Sequence, residues 1–283
     1  MGFETVTSWR DLDDLIAQPD FGRHSDHARP TLVFRGLARG SYTNVSSLAR
    51  LEGDYPALER HLLRNFRKYA YKEAPGPTTW HWLALGQHHG LPTRLLDWTF
   101  SPLVALHFAT ASWPDDDAVL WVVDVVEAHR ALPESLAGAL EEEGSLVFSS
   151  DLLAEHAPGL EELDAIPCDR PFTVFLEPPS LDERIVNQAA VLSVISDPTV
   201  QMDDWLEDHP EAWRAYRLDP DLKAEARVRL DQAHVTERLL MPNLDGLAAW
   251  LRRYYSPRSA HAFSSGEAMD QTAATAQREG FMA

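Results

Sequence analysis

The chain has 283 residues, enough for one large domain or two small ones, and its 45% hydrophobic content supports a sizeable core. Acidic residues outnumber basic ones, 44 to 25, and the formal charge of −19 repels phosphate backbones and anionic membranes on average. Cys168 is the single cysteine, which excludes an intrachain disulfide and a cysteine-built metal site. No apolar run approaches the roughly 18 residues of a membrane span, and the N-terminus lacks the basic-then-apolar order of a secretory signal. A soluble cytoplasmic protein is the expectation.

Taken in order, Thr5 to Ile16 reads as a short strand or arm leading into an amphipathic helix with Ser8 as N-cap. Asp20 to Pro30 is polar and reads as loop. Thr31 to Leu37 (TLVFRGL) is apolar and β-branched, a buried strand bounded by Pro30 and Gly40. Arg35 near the end of that strand needs a partner, because stripping a guanidinium of water costs several kcal/mol. Two readings stand: an internal salt bridge to Asp97, or a ligand-facing cation.

Pro56 to Ala74 predicts an amphipathic helix. Leu58, Leu62, Leu63, Phe66 and Tyr69 form its apolar face, and Arg60, Arg64, Arg67 and Lys68 a basic stripe. The stripe is either a contact for anions or nucleic acid, or a solvated face balancing nearby carboxylates.

The richest stretch runs from Trp80 to Ala109, WHWLALGQHHGLPTRLLDWTFSPLVALHFA. Its pattern predicts a helix ending at Gly90, an extended piece around Leu95 and Leu96, and a buried helix opened by Ser101-Pro102. Polar groups crowd the turn between: Gln87, His88, His89, Thr93, Arg94 and Asp97. A His89–Asp97 pair could orient an imidazole for general-base work, and a structural hydrogen-bond network explains the same residues equally well. The histidine spacing is poor for a metal, so no metal ligands are assigned.

Further strands are expected at Ala118 to Val126, Phe172 to Glu177 and Val191 to Ile195, with helix and loop between Ala128 and Gly159. Met202 to Asp208 and Asp219 to Ala233 read as helices. Arg238 to Tyr255 reads as an extended piece, a turn at Asn243 to Gly246 and a terminal helix. From Ser256 the composition turns polar and small, and residues 256–283 are expected to be a disordered tail on a single domain of residues 1–255. The expected fold is α+β, a central mixed β-sheet flanked by helices. Nucleotide-binding glycine loops, GxSxG and HExxH are all missing.

Phe34-Arg35-Gly36, then Gln87 to Trp98 (QHHGLPTRLLDW) and Ser101 to Leu106 (SPLVAL), resemble the FRG domain family, which is named for the first triplet. Arg184-Ile185 with Gln188, and Met241-Pro242 through Leu247, extend the resemblance over about residues 25 to 250. A more distant similarity is to the arginine-type ADP-ribosyltransferases: an arginine–glycine pair ending a first strand, a Ser/Thr element before a buried helix, and a catalytic acid at a later strand. That resemblance implies NAD as substrate, an ADP-ribosyltransferase-like fold, and a macromolecular or nucleotide acceptor. It also suggests a toxin or phage-defence setting.

Carried over by motif, Arg35 would hold the NAD pyrophosphate or nicotinamide ribose and count among the catalytic residues, beside Gly36, with Thr99 and Ser101 bracing the pocket. Trp98 or Tyr69 would stack on nicotinamide, and His88, His89 and Asp97 would shape the binding turn. Gln188 stands near the place of the usual glutamate, and as a neutral group it offers less electrostatic stabilisation; Glu183 is the nearest carboxylate that could replace it. Two other functions fit the same residues: nucleotide or partner binding without turnover, and a metal-dependent hydrolase or nuclease built on the histidines.

Overall fold

The computed structural model describes residues 2–17, 31–51 and 53–256. The predicted 20–30 loop, apart from its neighbour Thr31, and the tail beyond Ser256 lie outside the described residues.

Eight strands make one mixed sheet: β1 (Glu4–Val6), β2 (Leu32–Leu37), β3 (Leu96–Thr99), β4 (Ala118–Asp124), β5 (Phe148–Ser149), β6 (Thr173–Glu177), β7 (Ala190–Ile195) and β8 (Trp213–Leu218). Their spatial order is β1-β8-β4-β2-β3-β7-β6-β5, parallel only at the two edge pairs β1/β8 and β5/β6. The helices among the described residues are α1 (Trp9–Ala17), α2 (Tyr55–Tyr69), α3 (Thr79–His88), α4 (Pro102–Thr110), α5 (Val125–His129), α6 (Glu134–Glu143) and α7 (Ser150–His156). They continue with α8 (Leu160–Asp164), α9 (Glu183–Asn187), α10 (Met202–Asp208), α11 (Pro220–Gln232), α12 (Glu237–Leu240) and α13 (Leu244–Tyr255). None is long and apolar enough to cross a membrane.

The α+β expectation with a central mixed sheet holds, and the four expected strands are its middle. β3 lies where the sequence pattern predicts only an extended piece, and β5 and β8 are strands that the pattern does not predict. Two elements differ in kind. Residues 125 and 126, read as the end of a strand, open α5, because the Asp124 carboxylate accepts hydrogen bonds from the amides of Val126 and Glu127 and caps a helix there. The piece before the terminal helix is not extended; it is the one-turn helix α12.

Strand alternation divides the core. One face of the sheet carries Val33, Leu37, Trp98, Trp121, Val123, Val191 and Trp213, covered by α5 and α10. The other face is covered in two parts. Helices α1, α4 and α11 pack over Phe34, Leu120, Val122 and Leu218, while α2, α3, α6 and α7 pack over Val174, Leu176, Leu192 and Val194. The two parts meet above β3, between α3 and α4, and there a cleft remains.

Helix α2 sits rotated from its expected phase. Leu58 is 43% exposed and Tyr69 80%, while Glu59 turns inward and is buried. Its partner explains the rotation: Arg94 donates Nε to Glu59 Oε2 at 2.7 Å and also pairs with Asp164. A buried guanidinium held by two carboxylates fixes the strand entry that leads to the cleft.

Candidate functional site

The cleft encloses about 800 Å³, its solvent-open mouth included, and draws on β2, β3, β7, α3, α4 and α9. Its floor is the seam where β2 and β3 part, since these strands are in register only at Phe34 and Thr99. On β4 and β7, Arg35 faces Trp121 and Asp97 faces Leu192, so the two side chains leave the sheet on opposite faces. The seam is closed by Arg35, whose Nη1 donates to the main-chain carbonyl of Asp97 at 2.6 Å and whose Nε donates to Asn44 Oδ1 at 3.0 Å. Asn44 is itself held by Asp203 through its main-chain amide and its Nδ2. Nη2 of Arg35 is buried and has no hydrogen-bond partner.

The expected salt bridge to Asp97 is therefore replaced by a bond to its carbonyl. Burial lowers the Arg35 guanidinium to about 10, against the pull of Asp97, and it remains a cation at neutral pH.

The Asp97 carboxyl rises on the cleft side. Its Oδ2 accepts from Gln87 Nε2 at 2.9 Å, and Gln87 in turn accepts from the Thr93 hydroxyl. Burial raises the Asp97 pKa, while Arg35, the Gln87 hydrogen bond and Arg184 oppose the rise. Arg184, on α9 at the other wall, is lowered by burial to about 10, with Asp97 and Asp182 working against that. His88 Nε2 meets Asp182 Oδ2 at 2.6 Å. Burial and Arg184 lower the His88 pKa, and Asp182 partly restores it.

On the β7 side, Thr99 donates its hydroxyl to the Gln188 carbonyl at 2.6 Å. The Gln188 side-chain amide donates to the Leu240 carbonyl at 2.9 Å, which ties α9 to α12. Ala84, Val104, Phe108, Pro178, Ile185 and Leu192 supply the apolar lining.

Of the residues selected from sequence, Arg35, Gly36, His88, Asp97, Trp98, Thr99 and Gln188 border this one cleft. His89, Ser101 and Glu183 do not. His89 is exposed, stands edge-on to His88, and closes α3 ahead of Gly90, whose φ of +78° makes the turn. Ser101 caps α4 by accepting from the Val104 amide. Glu183 is exposed on the first turn of α9.

Trp98 borders the cleft, but its indole belongs to the opposite core, where Nε1 donates to Ser193 Oγ and the ring meets Phe175 edge-on. With Tyr69 exposed on α2, the aromatics that border the cleft from this face are Phe34 and Phe108, and Phe108 is the less buried of the two. Gly36 has a packing role: a Cβ there would overlap the main-chain carbonyl of Ala105, so the glycine lets α4 lie against β2. The basic stripe is exposed on α2, away from the cleft, and Arg60 pairs with Glu161. Among the described residues, no group of three or more His, Cys, Asp or Glu side chains is placed to hold a metal.

Sequence reasoning did not select Gln87, Phe108 or Arg184 as site residues. Gln87 opens the QHHG turn and Arg184 lies in the quoted Arg184-Ile185 pair, so both carried a signal. Phe108 looks like any other apolar position of a buried helix.

Residues 30–118 match the family model of the FRG domain. No curated protein and no solved structure matches the chain. The match takes in β2, α3, β3 and α4, which is three sides of the cleft, and is narrower than the span of residues 25 to 250 expected from the motifs. The wall made by α9 and β7 lies beyond it.

Proposed function

We propose that this FRG-domain chain binds a nucleotide of the NAD class in the cleft and acts as an ADP-ribosyltransferase-like enzyme. One observation carries the reading. On a chain of net charge −19, the cleft sets the Arg184 guanidinium and a single lining carboxyl among the described residues, Asp97, around an apolar wall, with the buried Arg35 closing the seam beneath. Such a site has the parts a nucleotide needs: a cation for phosphate, an acceptor for a ribose hydroxyl, and a dry surface for a flat base. The choice of NAD rests on the resemblance, and it is supported by Arg35, Thr99 and Gln188, the three motif positions, bordering one cleft.

The catalytic assignment shifts within that reading. Glu183 is on the surface and Gln188 spends its amide on Leu240. The negative charge beside a bound ribose would come from Asp97. In the transfer, the bond between the ribose C1′ and the nicotinamide nitrogen breaks and its electron pair leaves with nicotinamide. The acceptor oxygen bonds to C1′, and its proton passes to the Asp97 carboxylate, whose raised pKa suits a base.

A second reading, nucleotide binding without turnover, is favoured by the engaged Gln188 amide. Incubation with NAD labelled in the adenylate and in nicotinamide separates the two. Release of nicotinamide and label on a protein or nucleic-acid acceptor supports the transferase. Saturable NAD binding with no release supports the binding module, and no binding at all defeats both. The toxin or phage-defence setting follows the resemblance; growth arrest on expression that disappears with Asp97→Asn is its test.

A further inference from the structure

Among the described residues, helix α13 is held to the domain by one side only. Gly246 is buried so tightly that a Cβ would overlap the Met241 carbonyl. Seven residues on, Arg253 donates to both carboxylate oxygens of Glu237, at 2.6 and 2.8 Å, and to both of Asp231 at 2.7 Å. Two anchors on the same face, two turns apart, fix the helix rotation.

Among the described residues nothing packs on the opposite face, and it is apolar. Leu244 is 82% exposed, Leu247 and Leu251 38%, Tyr254 62% and Tyr255 77%. With Ala248 these positions follow the i, i+3, i+4, i+7 spacing of a continuous stripe. Isolated exposed apolar residues need no explanation, whereas a stripe along a whole helix marks a contact surface.

We infer that this stripe is the contact by which two copies of the chain associate, their α13 helices antiparallel about a two-fold axis. The charges choose the occupant. Asp245 and Arg252 are both exposed and stand two turns apart along the same flank of the stripe. When identical helices pack antiparallel, like flanks meet, so Asp245 of one copy faces Arg252 of the partner subunit, and the reciprocal pair forms as well. The midpoint of that register falls beside Ala248, whose small side chain lets the helix axes approach. Parallel packing does not bring the two charges together.

The helix also carries one acidic and two basic residues, so here two chains of net charge −19 can meet without local repulsion. On one edge Trp250 stacks on Tyr254 at 5.1 Å, the kind of rigid aromatic pair enriched at protein contacts. A 12-residue helix is about 18 Å long, so the contact is small and the dimer weak, on the order of micromolar or looser.

Sedimentation velocity of the full chain over rising concentration, up to about 100 μM, tests this. The expected result is a reversible monomer–dimer equilibrium that Leu251→Glu abolishes. Asp245→Arg and Arg252→Asp should each weaken association on the order of tenfold, and the double variant D245R/R252D should restore it, since the swapped charges again face each other. Circular dichroism of each variant separates lost association from lost folding, because the substituted side chains are exposed. A chain that stays monomeric throughout would overturn the inference. So would a dimer indifferent to Leu251→Glu, or one that the double swap fails to rescue. Binding of the monomer to phosphatidylglycerol-containing vesicles through this helix, or crosslinking of Leu247→Cys to residues 257–283 of the same chain, would assign the stripe to another occupant.

Discussion

Arg35 donates to the main-chain carbonyl of Asp97 at 2.6 Å, although a carboxylate is available on the same residue. The reason is the sheet. The two side chains leave it on opposite faces, and the guanidinium reaches the seam between β2 and β3, where a carbonyl has lost its strand partner. Arg35 thus does the work of a missing ladder bond, and only a forked, planar cation can also hold Asn44 from the same position. Arg35→Lys keeps the charge and loses the fork. It should cost about 2 kcal/mol of stability, the usual worth of a buried hydrogen bond to a charged group. Urea denaturation checks this: a fall in the midpoint at unchanged slope is expected, and an unchanged midpoint would show that the seam does not depend on the fork.

Gly36 is the next residue, and its role separates packing from ligand contact. Because a Cβ would overlap the Ala105 carbonyl, Gly36→Ala should push α4 off β2 and cost about 3 kcal/mol or more, with a matching fall in melting temperature. If the glycine served only the approach of a ligand, the variant would melt like the parent and fail only in nucleotide binding. Thermal melts with and without NAD distinguish the two.

Much of this was legible from local pattern, and the exceptions share a cause. The helix at 79–88, the cap at Ser101 and the strands around residues 32, 118, 173 and 190 are written in periodicity, caps and glycine placement. Glu59 was not legible, because a carboxylate beside Leu58 looks solvated until Arg94 appears across the fold. Strand β8 (WRAYRL) hides behind its two arginines, which interrupt the apolar signal although Trp213, Ala215, Tyr216 and Leu218 are all buried. The site shows the same division. The QHHG turn and Asp97 announce themselves as polar groups in an apolar frame. Whether Glu183 or Asp97 faces the cleft depends on the rotation of α9 and the register of β3, which no local pattern encodes.

That distinction yields a sharp contrast between two carboxylates. Asp97→Asn preserves shape and the acceptor for Gln87, and on the transferase reading should reduce nicotinamide release by about 100-fold or more while leaving the NAD Kd nearly unchanged. Glu183→Gln, an exposed change on the first turn of α9, should leave both within about twofold. Release rates and binding isotherms measured on both variants decide the assignment. Loss of activity in Glu183→Gln with retention in Asp97→Asn would reverse it.

Two buried histidines outside the cleft contribute to the pH dependence of stability. His129 sits with Nδ1 against the Leu146 carbonyl at 3.0 Å, while Nε2 accepts from the Phe175 amide at 3.0 Å. The ring is therefore neutral, and a second proton would turn its acceptor into a donor facing a donor. Burial accordingly lowers its pKa to about 4. His107, whose Nδ1 meets the Arg227 guanidinium at 3.0 Å, is lowered to about 3 by burial and by that cation. In the unfolded chain both return to about 6.5. Between those limits the unfolded state binds more protons, so stability is fully present above pH 6.5 and falls as pH drops toward 4. At pH 5 each histidine should have cost about 2 kcal/mol relative to neutral pH. Melting temperatures recorded from pH 8 to pH 4.5 should be level at first and then decline. In His129→Gln the level part should lie lower, because the buried imidazole contacts are lost, and the decline should be shallower by one histidine's share. An equally steep decline in that variant would place the acid sensitivity elsewhere.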